Sequence, residues 1–417
     1  MDDVVRIRTK EILIWLAAFL ACVTPRFIPM FKINLGIHVS YYALTVVLVW
    51  ILYAKRELVP SVHLQELFFY VLLLHAAVSI VQNMNLNRWL FYIYYITICI
   101  LMMNTLITNN EDAIYEGITV AVCLALLIQV VIGIYEVSTH TYVFRVGSFS
   151  VRHYGKEAVS MFSNPNDYST YVTTLVPFAV YRVFASRRIL AKVLYLALAA
   201  GAIDMIVVTA SRACIAALAF AVLALVFLAV CRDRRRIAIV APTLLIACAA
   251  AFLLVPALRE WLLAFVSENS IDTSGEDVAR VNLLKNGLHF LYETCGIGVG
   301  AGNLEVWFEK FSIFHIGELL YIHNWYAEIL VTFGIFIFAF YVLTHISLLV
   351  MLYRNAKEKD GLFGIHTCFF LSFLIFSVTS ISSSSNVYSE WVWMFLAVTV
   401  AYCEKNRKKS LLRVELR

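Results

Sequence analysis

Four short polar segments interrupt a mostly apolar chain, and each holds side chains suited to chemistry. In Thr209-Ala210-Ser211-Arg212 a guanidinium stands between two apolar blocks, which is costly unless it faces water or an anion. Arg212 therefore reads either as an anion ligand at the mouth of a membrane cavity or as a snorkelling interfacial cation. Asp204, about two turns earlier, offers a carboxylate for a structural pairing. In His323-Asn324-Trp325-Tyr326 an imidazole at a helix start can act as a general base near neutral pH, although a lone interfacial His is more often structural. Arg280 precedes Gly296-Ile297-Gly298-Val299-Gly300-Ala301-Gly302, where glycines allow close backbone approach and unusual dihedrals. That run lacks the Lys-Ser/Thr ending of a phosphate-binding loop. Finally, Phe162-Ser163-Asn164-Pro165-Asn166 has the residues of a helix start, and capping alone accounts for many such segments.

The elements that must position these residues are membrane spans. Of the 417 residues 62% are hydrophobic and 15% charged, and the mean hydropathy is +0.81. The apolar residues fall in blocks of about 18–25, enough to cross a hydrocarbon core as a helix. They do not alternate with polar residues as β-barrel strands would. The pattern predicts an all-α polytopic membrane protein, one integral domain over 1–417, with about twelve spans. These are 11–31, 36–54, 64–82, 89–107, 113–136, 166–185, 189–210, 213–230, 237–256, 324–352, 361–381 and 386–403. The first block contains Pro25 and Pro29 and no small-residue cleavage site, and reads as a retained span. The nine cysteines show no metal-ligand spacing and read as apolar packing residues, so no metal is expected.

Charge sets the expected orientation. With both termini in the cytoplasm, 22 of the 33 Lys and Arg residues fall on the cytoplasmic side, as the positive-inside bias requires. These clusters read as anchors near anionic lipid, not as a nucleic-acid site. The cations on the other side run against the bias and are candidates for chemistry. Two long loops lie there: 137–165, with Arg145, Arg152 and Lys156, and 257–323, with Arg280. The second is long enough for its own helices and for a cap over an active site. Asp277–Tyr292 is a candidate amphipathic helix, with Val278, Val281, Leu284, Leu288 and Leu291 at helical spacing.

In their order and spacing these segments resemble the O-antigen ligase and polymerase superfamily of bacterial envelope glycan enzymes. The matching residues are Asn164-Pro165-Asn166 with Pro177; Ser211-Arg212; Arg280 ahead of Gly298-Val299-Gly300; and His323-Asn324 before Gly334. The resemblance covers about residues 160–340. Asp167 and Ala213 depart from it, standing where the family often has an apolar residue and Gly.

The resemblance implies a glycosyltransferase of the bacterial plasma membrane that needs neither metal nor cofactor. Its donor would be a saccharide on undecaprenyl pyrophosphate, presented at the outer leaflet. Arg212 and Arg280 would bind the pyrophosphate, and His323 would activate the acceptor hydroxyl. Asn164, Asn166, Asn324, Arg145 and Arg152 are further candidates for substrate binding. The chemistry fits, because two guanidiniums can neutralise a leaving diphosphate through charge-assisted hydrogen bonds. A polymerase of repeat units is preferred slightly over a ligase that transfers glycan to a lipid core or protein. Chain-length regulators and flippases would be partner proteins. The alternative of another class is a lipid-linked oligosaccharide flippase, but no repeated halves with interrupted spans are visible. A structural scaffold would not need cations placed against the topological bias.

Overall fold

The computed structural model describes residues 9–23, 47–51, 54, 64–109, 111–144, 157–162, 164–232, 276–317, 319–358, 361–383 and 386–415. The expected spans 36–54 and 237–256 lie largely or wholly outside these residues, as do Arg145, Arg152 and Lys156. The described chain is helical, with no strand. In hydrocarbon every backbone amide and carbonyl must be satisfied within the protein, and a helix does so within one segment.

In chain order the helices are α1 (Thr9–Val23), α2 (Leu64–Val78), α3 (Leu86–Thr108), α4 (Asp112–Thr139), α5 (Pro165–Ala185), α6 (Ile189–Val208), α7 (Arg212–Arg232), α8 (Glu276–Glu293), α9 (Leu304–Phe311), α10 (Trp325–Glu358), α11 (Ile365–Thr379) and α12 (Glu390–Glu415). A single 3₁₀ turn, Ser79–Gln82, extends α2. Six of these segments are long and apolar enough to cross a membrane: Leu64–Gln82, α3, α4, α6, α7 and α10. The protein is a multi-pass membrane protein.

Cross-helix bonds fix which helix ends lie together. At one end Lys405 of α12 pairs with Asp112 of α4 at 2.6 Å, and its ammonium lies 4.3 Å from the centre of the Tyr115 ring. At the same end Arg182 of α5 meets Glu116 of α4 at 2.9 Å, and Arg232 of α7 donates to the Ala356 carbonyl of α10. The opposite end gathers the starts of α3, α5, α7, α10 and α12 and the finish of α11. Thr170 of α5 and Cys214 of α7 approach to 3.9 Å there, and the Trp325 amide donates to Ser380 O at 2.9 Å. The break between α6 and α7 falls at Thr209–Ser211, with Ala210 left-handed at φ 49°, so the 42-residue apolar stretch is two helices.

The first of the two long loops is tied down by one carboxylate. Glu136, buried near the end of α4, accepts backbone amides from Val143 (3.3 Å), Val159 (3.0 Å) and Ser160 (2.7 Å). Beside it Gln129 accepts from Ser160 Oγ at 2.6 Å and donates to Val23 O at 2.8 Å, joining α1 to the clasp. Glu136→Gln removes the charge and one strong acceptor. Bonds to charged groups contribute about 1.5–3 kcal/mol, so the variant should unfold at lower temperature in detergent and be cut sooner by protease near residues 140–162. Unchanged melting and cleavage would show that the clasp carries no weight.

Candidate functional site

Helix α10 is not a straight rod. Gly334 sits inside it at φ 82°, ψ 176°, where only glycine is comfortable. A straight helix would separate residues sixteen apart by about 24 Å. Instead Trp325 Nε1 donates to Tyr341 OH at 2.8 Å, and Tyr326 OH reaches Ser377 O at 2.7 Å. The first segment of α10 therefore doubles back at Gly334, and the His323-Asn324 turn that precedes it is held beside the finish of α11, where Trp325 N donates to Ser380 O.

The glycine run fills the break. Val299 N donates to Val331 O and Gly300 N to Thr332 O, both at 2.9 Å, and Ile335 N returns to Gly296 O at 2.9 Å. Gly298 N takes Thr294 Oγ1 and Ala301 N takes Ser79 Oγ. With these amides committed, the run is a backbone clasp between α8, α10 and the turn after α2, and not a cradle for phosphate. Asn303 completes it, accepting from Met84 N at 2.9 Å and donating to the Gln82 and Val299 carbonyls. A small apolar core of Leu283, Phe290, Leu304, Phe308, Ile322 and Val331 binds α8 and α9 to this clasp.

On this support Arg280 comes within electrostatic reach of His323. The imidazole is half-buried, with its backbone left-handed at φ 52°, a conformation His adopts more readily than most residues. Burial first, and then the Arg280 guanidinium, lower its pKa from 6.5 to about 4. At neutral pH His323 is therefore uncharged, with a ring nitrogen free of a proton in the field of that cation. Among the described residues, no carboxylate forms an ion pair with Arg280.

Arg212 opens α7 at the same end of the bundle, two residues before Cys214. It is exposed and makes no ion pair with Asp204, which is exposed on α6. Asn164 caps α5: its Oδ1 accepts Asp167 N at 2.8 Å and its Nδ2 donates to Asp167 Oδ2 at 2.6 Å. Asp167, a departure from the family pattern, thus locks the cap. Asn166 is half-buried in the first turn of α5. Asn324 caps α10, accepting Ala327 N at 3.0 Å.

A second polar group lies near Tyr321, formed by residues the motifs did not single out. Glu305 of α9 is buried; its Oε1 accepts Tyr388 OH at 2.9 Å and its Oε2 lies 3.5 Å from Arg88 Nη1 at the start of α3. Burial raises the Glu305 carboxyl, and Arg88 opposes that rise. Tyr321, two residues before His323 and 40% exposed, feels Glu305, Arg88, Glu328 and Asp167. Arg88 was legible only as one of the cations placed against the charge bias, and nothing local marked its partner 217 residues away.

Residues 194–342 match the family model described as O-antigen ligase. The matched stretch holds Arg212, Arg280, the glycine run, His323 and Gly334, and leaves out Asn164 and Asn166. Teichuronic acid biosynthesis protein TuaE of Bacillus subtilis (strain 168) is 27% identical over 344 residues, covering 80% of this chain and 70% of the relative. Both findings support the O-antigen ligase/polymerase superfamily and a membrane enzyme of polysaccharide biosynthesis.

Proposed function

We propose that this chain joins lipid-linked saccharides, polymerising repeat units carried on undecaprenyl pyrophosphate at the outer leaflet of the bacterial plasma membrane. The observation that carries the reading is the nearness of the Arg280 guanidinium, felt electrostatically, to a half-buried, uncharged His323 at one end of the helix bundle. The charge bias turns that end outward, with both termini cytoplasmic.

The reaction follows from those groups. The donor diphosphate docks against Arg280, with Arg212 at the same end as a second cation. An acceptor hydroxyl attacks the anomeric carbon. The new C–O bond forms as the bond to the diphosphate oxygen breaks, and the diphosphate leaves with the electron pair. The acceptor proton passes to His323 and then to solvent. Guanidiniums stabilise the departing charge through charge-assisted hydrogen bonds, so no metal is needed for this step. Diphosphate at Arg280 also cancels the cation's push on the imidazole, so the base strengthens as the donor docks.

The family description favours a second reading, a ligase that moves finished glycan to a lipid core or protein. The product separates the two. Loss of a polymerase should leave single repeats on the acceptor, whereas loss of a ligase should leave polymer on the carrier lipid. Gel profiles of glycan from a strain lacking this chain decide between them. Full-length polymer on the normal acceptor would sink both.

A further inference from the structure

The sequence places an apolar stripe on α8, and in a protein surrounded by water such a stripe would face the core. In the structure four of its five residues face away, and Leu291 is buried. Val278, Val281, Leu284 and Leu288 are exposed, and Tyr292 is 79% exposed, whereas Leu283, Asn286, Gly287 and Phe290 face the small core. The helix is thus apolar on two sides, one packed and one open. The open side does not end at the helix. At its C-terminal end a shallow groove lined by Leu288, Leu291, Tyr292, Glu293, Cys295 and Gly296 runs onto Ile335 of α10. Next to Ile335, Phe336 is 85% exposed, and Leu343, Ile346 and Val350 continue the same open face down the membrane-crossing part of α10. The apolar surface of α8 is therefore continuous with a lipid-facing flank.

The attachments of the helix agree. Gly296, just beyond its end, accepts from Ile335 N at 2.9 Å, and Arg280 near its start is within electrostatic reach of His323, two residues before α10. Both ends of α8 therefore lie by the stretch of α10 between its start and the Gly334 break, on the site side of the bundle. Exposed Lys285 sits within the stripe with its ammonium 5.4 Å from the centre of the Phe314 ring, the posture of a cation that keeps its stem in apolar surroundings and its head outside them.

We infer that α8 is an interfacial helix whose Val278, Val281, Leu284, Leu288 and Tyr292 lie among the lipid chains of the leaflet on the site side. An amphipathic helix of this kind buries its apolar face about 5–10 Å into the boundary between head groups and chains. The irregular glycine run can sit at that depth because its amides are already paired to α10, Thr294 and Ser79. Only one consequence rests on the proposed function: Arg280 would meet a lipid diphosphate at head-group level, without lifting the lipid from the membrane.

The test uses the full chain in lipid nanodiscs. Leu284→Cys and Leu288→Cys, each with Cys295→Ser, are labelled with a bimane fluorophore. Glu309→Cys in the same background serves as the reference on the exposed face of α9. Lipids brominated on their acyl chains should quench the labels at 284 and 288 several-fold more strongly than aqueous iodide does, with the order reversed at 309. Stronger quenching by iodide at 284 and 288 would overturn the inference, placing the stripe in water. So would protection from both quenchers, which would mean that protein covers it. Neither outcome touches polymer formation by the unlabelled chain, so failure here is distinct from failure of the catalytic reading.

Discussion

His323→Ala should abolish long glycan in cells while leaving the protein inserted and folded. Removing a positioned general base costs about 10²–10⁴-fold in rate. Arg280→Ala should be comparably severe, because removing one preorganised donor to a developing anion costs about 10²–10³-fold. The two variants differ in what survives. With the imidazole held near 4 by burial and Arg280, wild-type His323 stays proton-free through the neutral range and loses competence only as pH falls toward that value. Arg280→Gln removes the smaller of the two causes, so the acid limb of its residual activity should move to higher pH. His323→Ala should have no such limb. Stability follows the same sign. The folded pKa lies below the unfolded value of 6.5, so the group's contribution is complete above that pH and is lost as pH falls from there toward about 4. Reconstituted protein assayed with a lipid-linked repeat between pH 4 and 8 provides the measurement. Full polymer from either alanine variant would remove that residue from the chemistry, and full polymer from both would overturn the site.

The parts of this site that are local in sequence were legible, and those made by distant pairing were not. The Asn164-Pro165 helix start and the Thr209–Ser211 break each announce themselves in a few residues, because caps and breaks are decided within one turn. The stripe on α8 was legible as a helix and silent as to direction. Periodicity reports two unlike faces, but lipid chains are as apolar as leucine, so it does not say which face meets protein. The pairing of Arg88 with Glu305 and the closeness of Arg280 to His323 depend on how α3, α8, α9 and α10 pack, and no spacing rule reaches across such separations. The fold-back of α10 was hidden for a further reason. Its two segments form one uninterrupted apolar block with a single glycine, and an isolated glycine in a helical pattern is usually tolerated.

That glycine should be the most sensitive backbone position in the chain. A Cβ on Gly334 would stand 2.3 Å from Ile297 O and 2.4 Å from Gly296 O, and one on Gly298 would stand 2.5 Å from Gly334 N. All of these are backbone atoms, which cannot swing aside as a side-chain tip could. The conformation itself costs any other residue about 1–3 kcal/mol before the clash is counted. Alanine at 334 also favours continued helix, which would straighten α10 and pull the His323 turn away from the finish of α11. Gly334→Ala should therefore lower the melting temperature in detergent and remove polymer formation together, and Gly298→Ala should resemble it. Gly361→Ala is the control, because its added Cβ meets nothing within 4 Å. Wild-type melting and activity in Gly334→Ala would show that the fold-back positions nothing. Lost activity at unchanged melting would separate the two effects and tie the fold-back directly to catalysis, since the clasp would then be intact and only the placement of His323 relative to Arg280 altered.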